Sequence, residues 1–573
     1  MSKSDPAPLS AWRNFYKIAK GNSSSIATYI AVFVSAILGA VWVHRLTPQD
    51  FSYPWRVIDS DLSSSYSLAQ ATGQAWFGLT HQSLGAPYRA DLSLAFIPDD
   101  LHIEIIRLIT QISGNPFTGI NLYYLLSFGF SAVTCLALFE HLKIQRWISA
   151  PLALAYSWLP YHFLRMDVGH IFLAAYYMLP IGVMYLLRLY EYLNGRQESF
   201  FPHKKTNRSI FILGIILVGS SGAYYALFFA LLTGSLLLLV PQRGIARKAF
   251  LQRLGTVSVV GLAFIIAPVI RVLSSQLRGL ETLLKRDPLE SVQFGGSITR
   301  LLVPWGVWMP ERLRPAVSVM DFEWNATPLL GSLGVIVLVI AIVSRIARRV
   351  ESWQLDGTSY LFFWSIGLYT TSGLGLVFAY AIDPSFRTWN RFSIVVMTLA
   401  LVAVATVLNR LSCKKLFLSP LLLLIIVCTQ LLPLKNSGIS AEPDAASREA
   451  YQALMKTALL IEEEVEPGCQ ILQLPLMVFP EGGQVGQVGN GFHLWLPLLT
   501  EGYRWSYGAP KGSEAGDFWT GKSIEAAVRE ANRLEFCAVI LDKRSGISLN
   551  PVETTSFTRT LSTDLYDLYW FKR

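Results

Sequence analysis

Charge is scarce in this chain. Only 15% of its 573 residues are Asp, Glu, Lys or Arg, where soluble globular domains carry about 25%. That excludes an ordinary soluble domain, since hydrophobic residues make up 52% of the chain. Cysteine is scarce too: there are 5 residues and no Cys-x-x-Cys pair, so zinc-ribbon and thioredoxin readings have no support. The first apolar run is not followed by a small-residue cleavage site, and 25–43 therefore reads as an uncleaved first span rather than a signal peptide. The net charge of +9 would suit nucleic acid only if it formed a stripe. Instead the basic residues sit in short loops beside apolar runs, as Arg345, Arg348 and Arg349 do. That is the positive-inside pattern, and no nucleic-acid partner is expected.

What remains is apolar. Mean hydropathy is +0.40, and the aromatic share of 13% suits anchoring at both membrane interfaces. A span needs about 20 apolar residues, and about eleven stretches qualify. They lie near 25–43, 119–140, 148–164, 169–190, 209–221, 223–240, 255–272, 329–346, 358–380, 392–408 and 416–434, with Ser220-Ser221-Gly222 as the break inside 209–240. Basic loops (Lys143 and Arg146; Arg196 to Arg208; Arg243 to Arg253; Arg345 to Arg349; Arg410 to Lys415) fall on the side of Arg13, Lys17 and Lys20. This predicts a cytoplasmic N-terminus, exoplasmic loops 44–118 and 273–328, and an exoplasmic tail.

The tail, 435–573, is different material. Residues 445–465 place Ala453, Leu454, Ala458 and Ile461 at helical spacing, and 523–533 also reads as a helix. Strands are predicted at Ile471–Pro475, Cys537–Leu541 and Tyr566–Phe571, with 480–519 as loop. The expected fold class is a polytopic α-helical membrane protein, 1–434, followed by an exoplasmic α/β domain. Cys469 and Cys537 could form a disulfide there or remain two buried thiols.

Carboxylates crowd the first loop. Asp59 and Asp61 could hold a divalent cation, Mg or Mn, or supply a general base for an acceptor hydroxyl; Asp61 could equally cap a helix. Asp99, Asp100 and His102 precede an amphipathic run and could either bind substrate or simply favour a helix dipole. Between the third and fourth spans stand Tyr161, His162, Arg165, Asp167 and His170. Ionisable groups at a membrane face are functional candidates. A guanidinium such as Arg165 suits a phosphate, but snorkelling at the interface also accounts for it. Arg387 and Arg391 lie at the outer ends of two spans, against the positive-inside trend, and Arg300 is similarly placed. An anionic ligand at the outer leaflet would explain them, as would headgroups or Asp383.

These residues resemble something known. Ser60-Asp61-Leu62, Leu84-Gly85-Ala86-Pro87-Tyr88 and Pro98-Asp99-Asp100-Leu101-His102 carry the likeness in the first loop. Tyr161-His162-Phe163-Leu164-Arg165, Gly169-His170 and Tyr224-Tyr225 follow, with Leu472-Gln473-Leu474-Pro475 and Arg504-Trp505-Ser506-Tyr507-Gly508 in the tail. A first-loop Asp, a multi-span core and an exoplasmic tail resemble the GT-C membrane glycosyltransferases, which include oligosaccharyltransferases, protein mannosyltransferases and aminoarabinose transferases. The resemblance implies a bacterial plasma-membrane enzyme with a polyprenyl-phosphate sugar donor and a glycan, lipid or protein acceptor. It implies Asp61 as catalytic base and, as lipid-phosphate candidates, Arg165, His170, Arg387 and Arg391. A transporter or flippase of a lipid-linked saccharide would share the spans, but would place its ionisable groups at mid-membrane in broken helices. A non-catalytic scaffold would work through tail aromatics such as Trp495, Trp505 and Trp519.

Overall fold

The computed structural model describes residues 23–55, 61–75, 78–94, 99–241, 246–277, 286–304, 327–347, 352–411, 418–437, 445–549 and 557–572. Among them, six helices are long and apolar enough to cross a membrane: Ile26–His44, Pro116–His141, Arg247–Ser274, Leu329–Ile346, Trp389–Leu411 and Leu418–Asn436. Pro116–His141 and Trp389–Leu411 form the centre, and the others bury much less of their surface. Small residues set the contacts. A Cβ on Gly334 would lie 2.3 Å from the Ala400 carbonyl oxygen, so Leu329–Ile346 crosses the central helix almost backbone to backbone. The chain is a polytopic membrane protein with a C-terminal α/β region.

Several expected spans are broken. The 148–164 span ends with helix Arg146–Ser157, because Pro160 has no amide to continue it and starts a new short helix, Pro160–Asp167. The 169–190 span likewise begins only at Leu179, after a separate turn at Ile171–Ala174. Residues 158–178 are thus a compact cap over the bundle rather than the ends of two spans. The 358–380 stretch divides into Trp353–Tyr369 and Leu374–Ala381. At 209–240 the break falls at Ser220-Ser221-Gly222, between Lys205–Gly219 and Ala223–Ser235, and Gly222 takes φ +136° there.

The first loop and the tail form one body above the bundle. Within the loop, helix Asp61–Gln74 buries Tyr66, whose ring meets Phe117 at 4.9 Å and Trp495 of the tail at 6.1 Å between centroids. A hairpin follows, β1 (Thr80–His81) with β2 (Ala90–Asp91). The tail sheet comprises β3 (Gln470–Leu474), β4 (Arg504–Trp505), β5 (Ala538–Asp542), β6 (Phe557–Ser562) and β7 (Tyr566–Phe571) in the order β4-β3-β5-β7-β6. β4 and β5 run parallel to β3, and β7 runs antiparallel to β5 and β6. Cys469 and Cys537, at the starts of β3 and β5, are joined by a disulfide. The first loop extends this sheet. Trp505 N donates to Ser83 O at 2.7 Å, Ala86 N to Trp505 O at 2.9 Å and Gly85 N to Tyr507 O at 3.1 Å. Leu84-Gly85-Ala86-Pro87 and Arg504-Trp505-Ser506-Tyr507 are therefore two sides of a single junction.

Candidate active site

Asp61 is the first residue of helix Asp61–Gln74, where negative charge is favoured. Its Oδ2 lies 3.0 Å from His170 Nε2. Gly169 makes this approach possible. At φ +82° it packs on the start of the helix, and a Cβ there would stand 2.5 Å from Leu62 N. His170 Nδ1 in turn faces Arg165 Nη1 at 3.5 Å. Because a guanidinium can only donate, Nδ1 accepts and Nε2–H donates to Asp61. Arg165 is buried, with its guanidinium 4.7 Å above the Tyr161 ring. The Asp61 side chain is held from behind yet remains 70% exposed. That arrangement suits a carboxylate that must receive a proton from something arriving from outside.

A second cluster gathers where helix Asp100–Ser113 abuts the 219–222 turn. Leu101 N donates to Ser220 O at 3.0 Å, and His102 Nε2 donates to Ser221 O at 2.7 Å. Arg271 Nη1 binds Asp100 Oδ1 at 3.3 Å, while its Nε and Nη2 are buried without a partner among the described residues. Arg391 sits 4.4 Å over the Tyr224 ring, whose hydroxyl donates to Thr388 Oγ1 at 3.3 Å. Asp99 lies in the field of both guanidiniums. Burial and then Asp100 push its carboxyl up to about 7, against the opposing pull of Arg391 and Arg271. Asp100 is also raised, chiefly by burial, with Arg271 opposing.

No protein-family model and no curated protein matches the chain. Solved structures do. ArnT from Cupriavidus metallidurans, bound to undecaprenyl phosphate, superposes with TM-score 0.53 at 10% identity, over 96% of this chain and 98% of that one. An archaeal oligosaccharyltransferase, AglB from Archaeoglobus fulgidus in complex with an inhibitory peptide and a dolichol-phosphate, gives TM-score 0.51 at 12% identity, over 95% of this chain and 74% of that one. The chain has the GT-C fold.

On this GT-C frame the candidates named from sequence separate. Asp61, Arg165 and His170 come together, as do Asp99, Asp100 and Arg391. His102 is fully buried, with Nδ1 accepting from the Tyr123 and Tyr177 hydroxyls, so all its ring hydrogen bonds go to protein. His162 is also fully buried, stacked on Phe128 and bonded to Ser127 and Ser157. Both are bonded within the packed core. Arg387 bonds Glu290 and approaches Glu481 at 3.7 Å, so it joins the 286–304 segment to the tail rather than pairing with Asp383. Arg300 lies in helix Ile298–Leu302, on that same segment. Asp59 lies outside the described residues. For a Mg or Mn ion, no three His, Cys, Asp or Glu side chains are suitably grouped among the described residues. Sequence reading missed Arg271, which it placed inside an apolar span. A lone Arg in the last turn of such a span was the available signal.

Proposed function

We propose that this chain is a membrane glycosyltransferase that moves a sugar from a polyprenyl-phosphate carrier to an acceptor on the exoplasmic face. Its setting is the modification of a cell-envelope glycan, lipid or protein in the bacterial plasma membrane. The observation that carries the reading is the Asp61 carboxylate, oriented by His170 Nε2 at 3.0 Å on a GT-C frame and open to the exterior. The acceptor O–H gives its proton to Asp61 as the acceptor oxygen bonds to the anomeric carbon. The bond from that carbon to the phosphate oxygen breaks, and its electron pair leaves with polyprenyl phosphate. Arg271 and Arg391 are the cations for that phosphate. Arg271 offers the side-on Nε and Nη2 pair, which suits two oxyanion oxygens at once. Arg165 supports His170. The disulfide favours an exoplasmic tail and a cytoplasmic N-terminus, since disulfides persist in oxidising compartments.

The test incubates purified protein with a panel of polyprenyl-phosphate hexoses and pentoses plus cell-envelope extract, and measures released polyprenyl phosphate. Release by wild type that drops at least about a thousandfold in Asp61→Asn, with expression and melting unchanged, is the expected result. Turnover by Asp61→Asn at the wild-type rate would remove the assignment. No release with any donor would favour transport.

A further inference from the structure

The Asp99 carboxylate is placed unusually. It stands at the N-cap of helix Asp100–Ser113, yet its side chain makes no cap hydrogen bond. Short polar side chains at that position ordinarily bond back to the helix amides. Gly222 leaves room for it: a Cβ on that residue would lie 3.3 Å from Asp99 Oδ1. The groups facing Asp99 are Asp100 on its own helix, Arg271 on Arg247–Leu277, Arg391 on Trp389–Phe392 and Tyr123 on Pro116–His141. Asp100 already holds Arg271 Nη1 and leaves the Nε and Nη2 fork to an incoming anion. An ionised Asp99 beside the same guanidinium repels that anion, whereas a protonated Asp99 can donate to it.

We propose that Asp99 binds the carrier phosphate as the neutral acid, donating its O–H to a phosphate oxygen, so that wherever the free carboxyl is ionised, loading the carrier takes up one proton. This rests on the reading that Arg271 and Arg391 hold the phosphate. The direction of the pH dependence follows. With the free carboxyl pushed up to about 7, the protein below that pH already carries the proton and binding needs none. Above it, each pH unit costs about tenfold in affinity, because the proton must first be taken from solvent. The second ionisation of the phosphate, near pH 6, is common to wild type and variant and cancels in their ratio.

The experiment titrates the purified full-length protein in detergent with farnesyl phosphate, a short polyprenyl phosphate, between about pH 6 and pH 8.5. Wild-type affinity is expected to fall about tenfold per unit above pH 7, while Asp99→Asn, whose amide donates without titrating, stays nearly level over that range. An Asp99→Asn profile that follows the wild-type slope overturns the proposal. Arg271→Gln separates the two ideas. Its binding should weaken at every pH by about tenfold or more. If it binds like wild type, the phosphate is elsewhere and both readings fall. If it loses binding while Asp99→Asn keeps the wild-type slope, only the proton-linked reading falls.

Discussion

Gly169 shows how much of the site depends on one absent side chain. Its backbone is in the left-handed region, and its Cβ position is blocked by the backbone of Leu62 at 2.5 Å and of Asp61 at 3.1 Å. Neither neighbour is the flexible end of a side chain, so nothing can swing aside. Gly169→Ala therefore separates the 158–178 cap from the Asp61 helix and lengthens the Asp61 to His170 contact. The expected cost is about 2 kcal/mol of local strain and about a hundredfold loss of turnover from misplacement. Polyprenyl phosphate release measured beside the melting temperature checks this. Turnover near wild type would show that His170 does not position the carboxylate. Asp61, Arg165 and His170 were each visible in the sequence as polar residues at a membrane face. Their grouping was not, because Asp61 and His170 are more than a hundred positions apart in the chain.

At the scale of elements, helix Asp61–Gln74 is fixed at both ends. Gly169 and His170 hold its start. At its far end, the buried Arg107 donates through Nη1 to Ala75 O and through Nη2 to Gly78 O at 3.1 Å. Gln111 Nε2 adds a bond to Thr72 O at 3.3 Å. A cation on the last carbonyls satisfies groups that the helix itself leaves unpaired. Arg107→Leu removes the cation and strands those carbonyls, for an expected loss of about 3 kcal/mol. Hydrogen exchange across 61–78 should accelerate well before that of the membrane helices; unchanged protection there would mean that Gln111 alone suffices. Element type was largely legible in sequence. Helix 445–465 and the strands near 471, 537 and 566 are observed as Ala445–Glu464, β3, β5 and β7. In the tail sheet the misses are β4, only two residues long, and β6, whose Phe557–Ser562 pattern is mostly exposed. Neither has the apolar run that announces a strand. The broken spans escaped because composition records apolar length and not where Pro160 stops a helix.

For the whole molecule, the decisive feature is that the first loop and the tail share one sheet edge. Three backbone hydrogen bonds link Ser83, Gly85 and Ala86 to Trp505 and Tyr507, and Arg504 Nη2 donates to Pro87 O and Tyr88 O at 2.7 Å. Arg286 binds Glu481 at 2.6 Å and so brings the 286–304 segment to the same tail. Loop and tail must therefore lie on one side of the membrane, and the disulfide supports our proposal that this is the exoplasmic side. Its 68-residue separation corresponds to about 4 kcal/mol of loop-closure stabilisation, which only an oxidising compartment would let the protein keep. In intact cells, a membrane-impermeant reductant followed by an impermeant maleimide should label Cys469 and Cys537, and reduction should lower the melting temperature of the purified protein. Cys135 is buried within the central helix Pro116–His141 and should stay unlabelled. If the two tail cysteines react only after permeabilisation, the tail faces the cytoplasm. Asp61 would go with it, and a carrier-linked sugar outside the cell could no longer be the donor.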